Sequence, residues 1–530
     1  MTAVALLTTS CAGAGGSGTS SPTDVVVLAS DDPSTYTQDS GGTGGRGQGF
    51  VIANTQANLV RNRYVTDQAT GLLEQDWVNF EGLLAESWDV SPDGLLYTFH
   101  LRKGLRSQAG NELSADDVLW SMERHFNTET AAAKFVFKPY VDNLGEQLTK
   151  VDDHTVALRL KRSGDGVTVL SLLSDMDTPI FDSTLLKSKA SAADPYAVTW
   201  TKSNSGTGFG AYKVESHAQG ESVVLTANPD FALGAPAVKR ITMRIVADAG
   251  TRASAVQAGD ADMALDLLPA QLNDLKANKS VQTFELATNQ HMKMPMITSK
   301  APFDNPAVRQ AMGYAVPYDQ IVDKVFRGRA SRMGQVLSRD SQNYDGRGVE
   351  PLAYDPAKAQ QILRDAGIKQ PVQFALTVSS GVPDAVDAAV VIQSFAKDAG
   401  FDVKVNQLSP ADYAAGRSTA KFQAFLDRDS AMVMTPPYQL RLWTDRGSPF
   451  NLANWESEAF YTAMGTALTY PDAVSVEAMQ SWNAVERVMR AEMPMAFFAY
   501  LYPSDAVRAG ITGYAPRSDS AIDFSIVRKG

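Results

Sequence analysis

Apolar side chains recur along this chain at two spacings, and the switches between them mark its elements. Leu95, Tyr97, Phe99 and Leu101 alternate with polar residues, which suits a half-buried strand. A shorter strand ends at Val90, and Ser-Pro-Asp-Gly at 91–94 joins the two. Pro92 presets φ, the Asp93 side chain can bond nearby backbone, and Gly94 accepts positive φ, so the turn has a mechanism. The period then changes. Ser114-x-x-Asp117 reads as a capping box, and Leu119, Met122 and Phe126 follow at helical spacing. The same logic places strands at 25–29, 155–160 and 241–246, the last followed by a turn and a helix over 251–258. Asp304 is the expected N-cap of a helix whose first turn holds Pro306 and whose core face is Val308, Met312 and Ala315. Asp355 caps another helix, with Pro356 at its first position, Ile362 and Leu363 packing, and Gly367 past its end. Strands and helices alternate throughout, so the pattern predicts an α/β fold with a mixed sheet.

Composition narrows the function. A chain of 530 residues exceeds what one core usually supports, so two or three domains are expected. The net charge of −11 argues against nucleic acid as the main partner, because phosphate binding needs a basic face. Cys11 is the sole cysteine, so no intrachain disulfide and no thiolate metal cage can form. It follows small residues and the apolar Val4-Ala-Leu-Leu7, a lipobox-like context that predicts lipidation of Cys11. The glycine- and serine-rich stretch at 12–21 behind it reads as a flexible tether. The ten residues before the cysteine hold no basic segment and are shorter than a full secretory leader. No other stretch approaches the roughly 18 apolar residues needed to span a membrane, so a lipid is the expected attachment.

Four short words, in order, carry a resemblance: Gly82-Leu-Leu-Ala-Glu-Ser-Trp88, Ser91-Pro-Asp-Gly94, Tyr97-Thr-Phe-His-Leu-Arg-Lys-Gly104 and Ala115-Asp-Asp-Val118. Further words follow at Asn204-Ser-Gly-Thr-Gly-Phe-Gly-Ala-Tyr212, Asn228-Pro-Asp-Phe231, Ala247-Asp-Ala-Gly-Thr-Arg252 and Pro302-Phe-Asp-Asn-Pro-Ala-Val-Arg309. Together they resemble the extracytoplasmic solute-binding proteins (family 5) of the oligopeptide/dipeptide/nickel class of ABC importers, over about 25–514. The resemblance implies a two-lobed periplasmic-binding-protein-like fold of type II, with an extra subdomain inserted in the first lobe. The first lobe would use 24–65, 200–289 and 501–525, the inserted subdomain 66–199 and the second lobe 290–500, behind a leader remnant and tether at 1–23. Two passages near 288–292 and 500–503 would form the hinge. It also implies a non-catalytic, monomeric cell-surface lipoprotein that delivers a solute to an ABC permease and its ATPase subunits, without cofactor or metal.

Catalytic readings are weak. Gly42-x-Gly44-x-x-Gly47 satisfies the dinucleotide expression but follows no clear strand and opens no evident helix, so a flexible loop is expected. Ser418-Thr-Ala-Lys421 lacks the companion words of penicillin-recognising enzymes. The five histidines show no metal-ligand spacing. Turnover of an amide or ester by the purified protein would reinstate an enzyme.

The resemblance puts the ligand contacts in the second lobe. In peptide-binding relatives an aspartate near the end of a strand holds the peptide's α-ammonium; aligning Ala431 and Pro436 puts Met432 there. A thioether is a weak, uncharged acceptor and cannot replace that carboxylate. Either Asp427 or Asp429 does the job, or the ligand is no ordinary peptide. Asp427, Arg428 and Asp429 close an apolar strand and suggest a polar cleft, with Arg428 clamping a carboxylate or carbonyl and Asp429 accepting from an amine. Trp443, Asn451 and Trp455, with Tyr36 and Asn54 of the first lobe, complete the expected contacts. Three readings stay open: a peptide, a compact and partly aromatic non-peptide solute, and a cell-envelope lipoprotein that binds nothing.

Overall fold

A computed structural model describes residues 23–530, apart from 39–44, 69–70, 129–136, 286–287 and all of 335–347 except 336, 337, 343 and 346. Cys11 and the tether lie outside the described residues. The hairpin forms as the alternation predicts, with strands Ala85–Val90 and Leu96–Leu101 in register from Ala85↔Leu101 to Val90↔Tyr97. Ser91 Oγ and the Leu95 amide both donate to the Asp93 carboxylate, and Gly94 takes φ +70°. Helix Ala115–Asn127 starts on the expected box: the Ser114 amide donates to Asp117 Oδ2 at 2.8 Å. The helix Pro306–Ala315 departs in detail. Its cap is Asn305, whose side chain accepts from the Ala307 amide at 2.9 Å, and Asp304 lies one residue outside. Asp355 caps Pro356–Asp365 as expected.

The architecture is two-lobed. A seven-stranded mixed sheet centres the first lobe, in the order Val281–Thr283, Ala506–Arg508, Met263–Ala264, Asp24–Ala29, Arg240–Ile245, Ser222–Ala227, Tyr212–Ala218. Asp24–Ala29 is its parallel heart, buried along its length from Val25 to Ala29 except at Val26. Between this strand and Tyr212–Ala218 the chain builds a separate four-stranded antiparallel sheet from 85–159. The second lobe holds a four-stranded sheet, ordered Ala330–Arg332, Met495–Leu501, Gln290–Pro295, Asp427–Ser430, beside a three-stranded sheet, ordered Phe401–Leu408, Val372–Ser379, Ala424–Phe425.

The chain passes between lobes twice, over 284–289 and 502–505, since Val281–Thr283 and Ala506–Arg508 lie in the first sheet and Gln290–Pro295 and Met495–Leu501 in the second. Arg329 clasps both passages: its Nη2 donates to the Phe284 carbonyl at 2.7 Å and to the Pro503 carbonyl at 3.3 Å. Thr288 Oγ1 donates to the Leu501 carbonyl at 2.7 Å, holding the passages side by side.

The glycine-rich segment corrects an expectation. A helix does open there, Arg46–Thr55, with Gly45 at its cap. Its N-terminus is filled from within: the Gly47 amide donates to both oxygens of Asp31 at 3.1–3.2 Å, so no phosphate is needed to satisfy it. Arg46 forms a fork with Asp505 at 2.5 and 2.8 Å and reaches Asp266 at 3.2 Å, while Tyr514 Oη donates to Asp505 at 2.8 Å. This network ties the helix to the residue that ends the second passage. Because the Asp505 side chain is wholly buried, Asp505→Ala leaves Arg46 without its main counter-charge. The expected loss is about 3 kcal/mol in denaturant unfolding of the empty protein; a loss below about 1 kcal/mol contradicts the role assigned to this pair.

Candidate functional site

The run 422–430 does not stay in one strand. Ala424–Phe425 pairs in parallel with Val372–Ser379, and after Leu426 the chain changes sheet, so Asp427–Ser430 pairs antiparallel with Gln290–Pro295. Lys293 on that neighbouring strand is fully buried among methionines and stands opposite Asp427. An ammonium removed from water needs compensating charge and hydrogen bonds. Lys293 Nζ therefore donates to Asp429 Oδ2, lies 3.4 Å from Asp427 Oδ2, and sits 4.5 Å from the centre of the Trp443 ring. Trp443 Nε1 donates to Asp429 Oδ2 at 3.0 Å, and the His291 ring meets Trp443 edge-on at 4.8 Å. Arg417 closes the other side with a fork to Asp427 at 2.8 and 3.0 Å.

The electrostatics follow from this crowding. Burial alone would raise the Asp429 carboxyl, yet the adjoining Lys293 holds it well below the usual carboxylate range. His291 is pushed down to about 3, first by burial and then by Lys293. Lys293, Trp443 and Arg417 thus engage Asp427 and Asp429 in an internal cluster, where the sequence expectation had these two aspartates meeting a ligand. Alternation sends the residue between them the other way. Arg428 is exposed, 3.5 Å from Asp384 and donating to Gln290 Oε1 at 3.2 Å.

Arg428 faces a cavity of about 360 Å³ lined from both lobes: Asp266 on the first, Arg327, Asp384 and Asp387 on the second, and Tyr502 in a passage. Its walls mix apolar surface with a few charges of both signs, the make-up of a small-molecule cleft. Among the described residues Asp427–Ser430 is an edge strand with a neighbour on one side only, and its Ser430 amide donates to Asp429 Oδ1 at 2.9 Å. A second cavity, of about 30 Å³ beside Glu486 and Met489, holds little more than a water.

Three other expected contacts are turned inward. Asn54 donates to the Phe50 and Ile522 carbonyls and accepts from the Phe524 amide, all within 2.9 Å. Asn451 clips the Trp455 backbone through both its amide atoms, at 2.7 and 3.1 Å. Trp455 Nε1 donates to Glu492 at 2.8 Å, and its ring packs on Phe460. With every polar atom satisfied and under a tenth of each residue exposed, these three are structural. Tyr36 is half-buried, its hydroxyl 2.8 Å from His217 Nδ1, whose Nε2 is 2.9 Å from Asp32. Met432 is half-buried in the loop after the edge strand. Among the described residues no group of three or more potential ligands is placed to hold a metal ion.

Sequence reasoning missed Lys293, Asp266, Asp384 and Arg329. Lys293 had a signal, a lone charge within an apolar strand; the others are joined only by the fold.

With this geometry in place, the chain matches the model of bacterial extracellular solute-binding proteins, family 5 Middle, over residues 79–450. The chain belongs to that family. It is 30% identical over 327 residues to heme-binding protein A of Haemophilus influenzae, a match covering 59% of this chain and 57% of that one. It is 25% identical over 465 residues to di/tripeptide-binding protein 2 of Pseudomonas aeruginosa, covering 84% and 86%. Among solved structures, the periplasmic binding protein DppA of Helicobacter pylori, in complex with the peptide STSA, superposes with a TM-score of 0.77 at 22% identity, covering 96% of this chain and 98% of that one.

The buried imidazole of this family 5 protein makes its stability depend on pH. In the folded state His291 stays neutral until about pH 3, whereas unfolded it takes a proton near 6.5. The unfolded chain therefore binds the extra proton between these values, and stability falls as pH falls from 6.5, by about 1.4 kcal/mol per unit from this residue. His291→Phe is expected to flatten the decline in unfolding free energy between pH 6.5 and 5; parallel curves for the two proteins contradict a buried neutral His291.

Proposed function

We propose that the protein captures a small solute, of peptide class by default, in the cleft between its lobes and delivers it unaltered to the permease of an ABC importer. The observation that carries this is the 360 Å³ cavity with walls on both lobes and Arg428 at its edge. Closure costs nothing to explain beyond differential affinity: a solute touching both walls stabilises the closed form, and one touching a single wall does not. The Asp427–Ser430 edge offers an extended peptide a strand to pair with, which binds backbone and tolerates many side chains. Arg428 is the group suited to a carboxylate or carbonyl, exchanging its loose 3.5 Å contact with Asp384 for a shorter charge-assisted bond. A relative named for di- and tripeptides and a solved neighbour holding a peptide support the peptide class.

A second reading keeps the same role for a compact, partly aromatic non-peptide solute. Met432, at the position where the family resemblance implies an ammonium-holding aspartate, favours it, as does the relative named for heme. The lipobox-like context of Cys11 supports attachment of the protein to the outer face of the cytoplasmic membrane through a lipid on that residue, working as a monomer.

A binder gains stability as RT ln(1 + [L]/Kd), whereas an envelope scaffold gains none. Screening short peptides and small aromatic solutes by thermal shift is expected to find compounds that raise the melting temperature. Arg428→Ala should weaken their binding about tenfold or more while leaving the melting temperature of the empty protein nearly unchanged, because the residue is exposed. Undiminished binding by the variant removes Arg428 from the pocket.

A further inference from the structure

The lobes also touch through side chains, at a place separate from the two passages. On the first-lobe side, the antiparallel sheet of 85–159 runs on into a tight turn at 163–165 and the helix Gly166–Leu172. On the second-lobe side, the strand Asp427–Ser430 leads into helix Pro436–Leu442, and Tyr470 sits in the turn between helices Glu458–Ala467 and Val476–Glu492. The Thr168 and Thr435 hydroxyls meet across this contact at 2.7 Å, and both residues are wholly buried. The Arg441 guanidinium stands 5.9 Å from the centre of the Tyr140 ring. Tyr140 and Val169 from one side, with Tyr438 and Leu442 from the other, belong to one buried apolar cluster. None of these residues lines the 360 Å³ cavity.

Gly164 sits hard against the far side. A Cβ built there would overlap the Tyr470 carbonyl oxygen and lie 3.7 Å from the Pro471 backbone. Its φ is not positive, so the turn itself does not call for glycine. Nor has the turn room to withdraw. Ser163 packs on Gly94, Gly166 packs on the Tyr97 hydroxyl, and Arg162 forks to Asp165 with two bonds of 3.0 Å. A side chain at 164 is therefore excluded by the opposite lobe alone. An open molecule accommodates it; a shut one does not.

We propose that this contact is a latch that seats when the lobes close, and that Gly164 is the positioning residue that lets it seat. Gly164 touches no wall of the cavity and acts only through closure. The hydroxyl pair at Thr168 and Thr435 suits a latch that must release, because a neutral hydrogen bond gives up little on being traded for bonds to water. The inference rests on the reading of the cleft as one that shuts on a solute, and adds what limits the shutting: backbone contact between the inserted sheet's following turn and Tyr470.

The test needs no solute. Full-length protein carries Cys11→Ser, Thr168→Cys and Thr435→Cys, which puts thiols where hydroxyls lie 2.7 Å apart, and copper phenanthroline oxidises the pair. The rate of cross-linking, read by mass spectrometry, reports how often the contact seats. The parent is expected to cross-link, and adding Gly164→Ala should slow it about tenfold or more while the melting temperature of the reduced protein stays level. Gly465→Ala, whose added methyl meets nothing, should leave the rate unchanged. If Gly164→Ala melts lower, Arg441→Ala decides: loss of its contact with the Tyr140 ring should slow cross-linking about threefold, and an unchanged rate overturns the latch. A parent that never cross-links, equal rates with and without Gly164→Ala, or equal slowing by Gly465→Ala also overturns it. None of these outcomes touches the thermal-shift screen, which alone decides whether the cleft takes a solute.

Discussion

The ammonium of Lys293, wholly withdrawn from water, constrains everything around the site. Removing such a charge from solvent costs several kcal/mol unless carboxylates and hydrogen bonds replace the lost hydration. The neighbouring strand supplies two, at alternate positions, so Asp427 and Asp429 must both point at Lys293. The period of a strand then leaves Arg428 no choice but the opposite face, toward the cavity. One buried charge thereby determines which of three consecutive charged residues faces the cavity. Trp443 belongs to the same cluster, since its indole N–H completes the bonding of Asp429.

The lobes are joined by passages that are individually short and mutually tied. Arg329 binds the carbonyls of both, and Arg46 anchors the end of the second to the helix Arg46–Thr55. These bonds keep the two passages side by side where the lobes meet. The cleft opens beside these passages, with Tyr502 in its wall, so a bound molecule lies close to the axis of closure.

Much of the fold was legible because local chemistry and global packing agree. The Ser91–Gly94 turn, the Ser114–Asp117 box and the Asp355–Pro356 start each have a mechanism confined to a few residues, and each formed. The cap at Asn305 was missed because two adjacent residues, Asp304 and Asn305, are both competent caps. The helix at 46–55 was missed because its stabilising partner, Asp31, lies fifteen residues upstream and satisfies the amide a phosphate would otherwise reach. The site was legible only in part. A charged run at the end of an apolar strand reads as polar surface until Lys293, more than a hundred residues away, is found in register with it. Asn54, Asn451 and Trp455 have the residue types of ligand contacts, yet each finds all its partners within the protein. Side-chain direction and long-range pairing are properties of the folded topology, which spacing along the chain does not carry.

Solute capture of this kind needs one motion: two lobes drawn together by a molecule that touches both. Small-angle X-ray scattering of the protein freed of solute by partial unfolding and dialysis, then recombined with a solute that raises its melting temperature, measures it directly. A smaller radius of gyration in the bound form is the predicted result. Saturation with no change in radius, at protein concentrations where the particle is a single chain, would contradict a clamp and leave the cavity as a passive pocket.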